Sequence, residues 1–375
     1  MLRSWLGTVL LLGVVACSPS RKPEHLRGVP ATRTTSARTL RPGALRYQTR
    51  YGDPDGPQSF SILGAVAATT TGRVAAYDAQ PCRFAIFNVR APEPWRYVGR
   101  CGAGPGEFGQ VIAAAFKGDT LLAVTYGDWA LRWIMLTGQE VRRLSLSRYA
   151  VYGLFALAVF DDSTLAIAVG APGGVASTDS VAEAIRLVRL IRAADGSEVA
   201  GAVQVSTTAA ANPMGLISGV AMCAAPPGTP PALAVMNQWA FEGIILRGRD
   251  LHPSGHFATA LPWTAPRALQ DPKAQYPPGS VQPGPLATGV ACLPTGAVYW
   301  ALKLGSRNPP AIGGGRVELR NYEGKLLVGK DFGPTDTLLH GRPVAATGDA
   351  IIWRASNEFD YPQLLQFQLV QDSLR

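Results

Sequence analysis

From Ile62 onward, apolar and polar residues alternate in short runs set apart by Gly, Asp and Thr-Gly turns. This is the period-two pattern of strands, with no sustained 3.6-residue stripe. One unit of the pattern recurs: a small-residue strand, a Gly or Asp turn, a second strand, then a third and fourth joined by a hairpin. The first copy predicts strands at 62–67, 73–77, 83–89 and 95–99, and the second at 111–116, 120–125, 131–136 and 140–146. The third gives 154–160, 164–169, 185–191 and 198–205. Its residues 180–192 are also compatible with a helix, but the Asp195-Gly196 hairpin signal that follows favours strand. The fourth, looser copy gives 217–224, 232–236, 243–246 and 255–260. The fifth gives 289–293, 297–302, 316–321 and 325–330.

The sixth copy stops short. It supplies 343–346, 350–354 and 364–369 and no fourth strand, whereas the chain opens with a spare one at 45–51. Four-strand units repeating every 40–70 residues or so indicate a propeller. An open ring would expose strand edges, so the first strand is expected to complete the last blade. The predicted fold is all-β: a six-bladed β-propeller of four-stranded blades, closed by the N-terminal strand.

Between the first two units lies Gly99-Arg100-Cys101-Gly102-Ala103-Gly104-Pro105-Gly106-Glu107-Phe108. Its glycines and proline suit a sharp connector between β modules. The stretch resembles the G-x-x-G-x-G-P-G-E-F connector of the bacterial six-bladed β-propeller lipoproteins related to NHL-repeat propellers. The resemblance spans residues 45–375 and implies a propeller of the bacterial envelope, with no substrate attached. Asp331-Phe332-Gly333-Pro334 echoes the motif after the fifth unit. A phosphate loop is discounted, because a β pattern rather than a helix follows the glycines. Glu107 is expected to bond neighbouring backbone or an arginine rather than to act as a functional acid.

The N-terminus sets the compartment. Arg3 forms a short basic region, Trp5 to Val15 an apolar one, and Val14-Val15-Ala16-Cys17 resembles a lipobox. The expected order is a signal peptide over 1–16, a tether over 17–43 anchored by lipid on Cys17, and the propeller over 44–375. The alternatives are an ordinary secretory signal or an uncleaved anchor, although about eleven apolar residues are few for a membrane span. Ser18 after the cysteine reads as outer-membrane sorting. With 41 glycines, 30 prolines and only 16% charged residues, the rest of the chain has the composition of short strands and tight turns.

The net charge of +9 changes this picture little. Residues 18–50 hold eight basic residues against Glu24, and Arg3 leaves with the signal, so the remainder carries about +1. The basic segment suits anionic lipid headgroups, and nucleic-acid binding loses its main support.

Apart from Cys17, four cysteines remain, an even number suited to an oxidising compartment. Cys82 and Cys101 flank one hairpin. If opposed positions sum to 183, Val89 faces Pro94 and Cys82 faces Cys101, close enough to bond. Cys223 and Cys292 occupy similar places on the first strands of neighbouring units and form a second candidate pair. No C-x₂-C spacing supports zinc. His252 and His256 sit four apart, but Pro253 and Gly255 deny them a helix, so a surface loop is expected; His340 also reads as a loop residue.

No catalytic motif, metal set or cofactor fingerprint is found. Irregular stretches at 170–180, 271–288 and 308–315 are expected as long loops, where binding residues collect. Trp263, Arg267, Lys273 and Tyr276 lie in or beside the second and are candidate contact residues. The leading expectation is an envelope-anchored scaffold that binds a protein, peptide or glycan through one propeller face. The alternative is a propeller enzyme of lactonase, lyase or glycan-hydrolase type acting at the central channel. The small apolar first strands argue against that alternative. Oligomeric state is not legible.

Overall fold

A computed structural model of the chain describes residues 45–53, 58–91, 94–152, 154–169, 188–202, 220–237, 242–258, 287–304, 312–336, 340–355 and 362–369. Six four-stranded antiparallel sheets form a six-bladed β-propeller. After β1 (Leu45–Tyr51), blade 1 comprises β2 (Leu63–Ala68), β3 (Arg73–Asp78), β4 (Arg83–Asn88) and β5 (Arg96–Val98). The connector carries β6 (Arg100–Cys101) and β7 (Glu107–Phe108). Blade 2 holds β8 (Val111–Lys117), β9 (Thr120–Thr125), β10 (Ala130–Met135) and β11 (Glu140–Ser145). Blade 3 holds β12 (Leu154–Val159), β13 (Thr164–Val169), β14 (Val188–Arg192) and β15 (Glu198–Ala202). Blade 4 holds β16 (Val220–Ala224), β17 (Ala232–Asn237), β18 (Glu242–Arg247) and β19 (His252–Ala258). Blade 5 holds β20 (Ala287–Leu293), β21 (Gly296–Leu304), β22 (Ile312–Arg320) and β23 (Leu326–Phe332). Blade 6 holds β24 (Arg342–Thr347), β25 (Ala350–Arg354) and β26 (Leu364–Leu369), and β1 is its fourth strand, paired with β26 from Leu45↔Leu369 to Tyr51↔Leu364.

Burial follows position in the blade. Second strands such as β9 (TLLAVT) and β13 (TLAIAV) are buried on both faces, because each blade is flanked by two others. They therefore read as unbroken apolar runs, whereas the outer β11 (EVRRLS) alternates. Six apolar clusters lie between successive blades. One holds Leu63, Val74 and Phe87 of blade 1 against Ile352 and Leu364 of blade 6, so the core is a closed ring of interfaces.

The connector is a built element. Arg100–Cys101 and Glu107–Phe108 pair as a two-stranded parallel ladder. The Gly104 amide donates to Glu107 Oε2 at 3.0 Å, and the Glu107 amide to the Gly104 carbonyl at 3.0 Å. Gly333-Pro334-Thr335-Asp336 repeats this arrangement, with 2.9 and 3.1 Å for the same two bonds. Beneath the first turn lies Arg132, only 2% exposed. It donates to the carbonyls of Gly104 and Glu107 at 3.3 and 2.8 Å, and to Glu140 and Asp128 at 3.0 and 2.8 Å. One buried guanidinium thus fastens the glycine-rich turn to blade 2.

Four expectations are corrected. In blade 1, Phe84 pairs with Val98, so opposed positions sum to 182 rather than 183 and Cys82 is not directly opposite Cys101. His252 and His256 lie on β19, an edge strand, rather than in a loop, and both are exposed. Proline is tolerated there because the ladder is bulged at that point, between Ile245 and Leu246 on the partner strand. The stretch 308–315 is strand from Ile312, and 271–288 from Ala287. By contrast, residues 188–192 of the ambiguous segment are strand as favoured, and 180–187 lie outside the described residues.

Candidate functional site

The first strand of every blade faces the axis, with β2, β8, β12, β16, β20 and β24 each beside the next around the ring. Six strands converging on one axis leave little room, which accounts for sequences such as LGAVAA in β2 and VAMCA in β16. Toward the ends of these strands the channel widens into a funnel of about 630 Å3. Its wall includes Ala67, Ala115, Leu157, Met222 and Ala345.

The Cys223–Cys292 disulfide also lines the wall, joining β16 of blade 4 to β20 of blade 5. Both disulfides expected from the sequence are therefore present, the other being Cys82–Cys101.

The rim is polar and is built from the first turns of blades 1 to 4: Thr69 to Thr71, Lys117 to Asp119, Asp161-Asp162 and Gly228-Thr229. The charges there stitch neighbouring blades together. Arg73 of blade 1 pairs with Asp119 of blade 2, and Lys117 of blade 2 donates to the Asp162 carbonyl of blade 3. Arg249 of blade 4 pairs with Asp161 of blade 3 at 3.0 Å. Burial pushes the Asp161 carboxyl up, but hydrogen bonds from the Ser163 amide and hydroxyl, Thr164 and Arg249 outweigh it and hold the group below the usual carboxylate range. At the edge, the Thr69 and Thr71 hydroxyls share a 2.8 Å hydrogen bond.

Chemically the funnel offers an apolar floor with hydroxyls and fixed charges above it. Asp119 and Asp161 are each paired with an arginine. Among the described residues no cluster of His, Cys, Asp and Glu could hold a metal ion.

Of the residues singled out by sequence, Cys17, Trp263, Arg267, Lys273 and Tyr276 lie outside the described residues. His252 and His256 are not among the lining residues, and His340 is buried with Nε2 3.2 Å from the Gly333 carbonyl. The rim residues were not singled out. A signal for them existed, since each recurring unit places its first turn at the same end of the channel.

No protein-family model and no curated protein matches the chain. Solved structures do match in shape. A member of the DUF4221 family from Bacteroides vulgatus aligns with a TM-score of 0.59 at 9% identity, over 88% of this chain and 98% of its own. A presumed exported protein of Bacteroides fragilis gives 0.55 at 10% identity, over 87% and 95%. A PQQ-bound aldose sugar dehydrogenase from Streptomyces coelicolor gives 0.50 at 9% identity, over 88% and 98%. At such identities the likeness is one of fold.

Proposed function

We propose that the chain is a lipoprotein of the bacterial envelope, anchored through Cys17 to the outer membrane, whose propeller is a binding scaffold for a partner's protein, peptide or glycan segment. The funnel carries this reading: a depression of about 630 Å3 with a small-residue apolar wall and a rim of threonines and paired charges. Ligand sites are typically concave and mostly apolar, with a few placed polar groups. Small aliphatic walls suit the side chains of an extended peptide better than a glycan, which needs rows of donors and acceptors. The two disulfides support an oxidising, extracytoplasmic location.

A photo-crosslinking residue at Thr70, on the rim, tests the proposal in intact envelopes. A discrete adduct is expected that disappears when Ala115→Trp fills the funnel and that does not form from the exposed Arg96 position. Adducts that persist in the Ala115→Trp background, with the fold intact by circular dichroism, would place the binding surface elsewhere.

A further inference from the structure

The other end of blade 6 carries a feature that the funnel does not explain. Arg342 opens β24 and Arg354 closes β25, and the two are directly opposed in the ladder. Opposed residues of an antiparallel pair point to the same face. Trp353 packs with Trp300 of blade 5, and Ile352 packs with Leu63 and Val74 of blade 1. Alternation along β25 therefore turns Arg354, and with it Arg342, toward blade 1.

Two guanidiniums side by side are expected to bring a counter-charge. Other arginines of the blades do so: Arg132 meets Asp128 and Glu140, Arg189 meets Glu198, and Arg316 and Arg320 meet Glu318. Among the described residues no carboxylate, carbonyl or ring partners Arg342 or Arg354. Asp78 of blade 1, opposite Leu63 in its own ladder, is not available to them, because its carboxylate is occupied by the amides of Ser61 at 3.1 Å and Ile62 at 2.9 Å. Burial lowers the Arg342 pKa, and burial together with the charge of Arg342 lowers that of Arg354. Both nonetheless remain cations at neutral pH. Arg342 is crowded by protein enough to depress its pKa yet keeps surface open to solvent, and Arg354 is half-buried, so dissolved anions reach the pair.

The backbone holds the pair in place. Gly341 has no room for a side chain, since a Cβ there would fall 2.0 Å from the Arg354 carbonyl and 2.7 Å from the Trp353 ring. The start of β24 is thus pressed onto the end of β25, and the two arginines are held adjacent without help from a ligand.

We propose that Arg342 and Arg354 form an anion-binding site on the face of blade 6 turned toward blade 1, which takes one oxyanion group, a carboxylate or a phosphate, between the two guanidiniums. Planar forks matched to two oxygens make arginine the usual choice for such groups. The site lies at the opposite end of the inner strand from the funnel and is independent of it.

Isothermal titration of the full-length protein at low ionic strength tests the site, with inorganic phosphate and succinate as separate probes. Saturable binding of at least one is expected, and the probe that binds identifies the source of the oxyanion. Arg342→Gln/Arg354→Gln should weaken that binding by about tenfold or more, while Arg96→Gln, which removes one exposed charge, leaves it unchanged. Without anion, the double variant should melt no lower than wild type, because two crowded like charges are gone. Failure of the wild type to bind either probe, or equal binding by the double variant, would overturn the proposal. A lower melting temperature of the double variant would also do so, by showing that the arginines serve the fold.

Discussion

Cys82 and Cys101 are bonded although the β4–β5 ladder does not set them opposite each other. Continued from Phe84↔Val98, the register would place Cys82 against Arg100. The bond forms because both chains leave the ladder: Cys82 has φ +53° and Gly99 has φ +96°, after which Arg100 and Cys101 pair with the connector instead. A Cβ at Gly99 would fall 2.2 Å from the Phe108 ring, so the turn has no room for another residue. The two cysteines lie 19 positions apart in sequence. Cys82→Ala/Cys101→Ala is expected to lose about 3 kcal/mol of stability in the chain-entropy account. Urea denaturation of the pair variant, with non-reducing peptide mapping of the parent, checks both the loss and the bond.

Arg132 holds two carboxylates and two carbonyls while almost wholly enclosed. Arg132→Met keeps the volume but leaves the largely buried Glu140 without its cation and Asp128 with Arg143 alone. A loss of about 3–5 kcal/mol is expected, as for other buried pairs broken on one side. The connector should loosen with it, read as faster amide exchange at Gly104 and Glu107. Unchanged exchange there would mean that the glycine-rich turn stands without its clamp.

The ring and its closing strand were legible because period-two patterning is a local property, and a missing strand at one end matches a spare strand at the other. The one-residue error in the Cys82 hairpin came from the turn. Counting opposed positions assumes an unbroken ladder, and a positive φ at a non-glycine residue leaves no sequence signal. The edge histidines were hidden by Pro253 and Gly255, which ordinarily break strands but fit a bulged edge. The funnel rim was harder to read for another reason, although the repeat marks each first turn. Thr70, Lys117 and Asp161 are ordinary turn residues one at a time, and only closure of the ring brings them to a common rim. The unpartnered arginines of blade 6 depend likewise on which acids fail to reach them.

Stability should fall at both ends of the pH scale. For Asp128, burial pushes the carboxyl up, but the Thr125 and Arg132 hydrogen bonds and the Arg132 and Arg143 charges outweigh it. Asp161 is depressed in the same manner. Their contribution is complete above the unfolded carboxylate pKa of about 3.9 and is lost as pH falls through the lower folded values. Burial pushes Tyr51 and Tyr77 up to about 12 from an ordinary 10. Their contribution is complete below about pH 10 and is lost as pH rises toward 12. Melting temperature followed across pH should therefore hold a plateau between about pH 5 and 10, and Arg132→Met should shallow the acid limb.

Ring closure depends on β1. Leu45 is 5% exposed within the interface of blades 5 and 6, Tyr47 meets Phe367 edge-on at 5.9 Å, and Tyr51 packs on Phe87 of blade 1 at 4.9 Å. Removing residues 18–42 should leave the melting temperature nearly unchanged. Removing residues 18–52 should cost on the order of several kcal/mol, through lost burial and an exposed ladder, and should promote self-association through the bared β26 edge. Calorimetry and light scattering of the two truncations check this. Equal melting temperatures with monomeric behaviour would show the ring to be secured by other means.

The pairing of β1 with β26 also fixes where mechanical load enters the molecule. Any pull through the residues before Leu45 arrives first at the Leu45–Leu369 pair, at the free end of the closing ladder. Tension at that point peels hydrogen bonds one after another toward Tyr51 before it reaches blade 1. The Cys223–Cys292 bond lies in blades 4 and 5, so a ring parted at its seam stays covalently stapled far from the opening. The propeller is in this sense a clasped bracelet, with its clasp at the strand where the chain enters it.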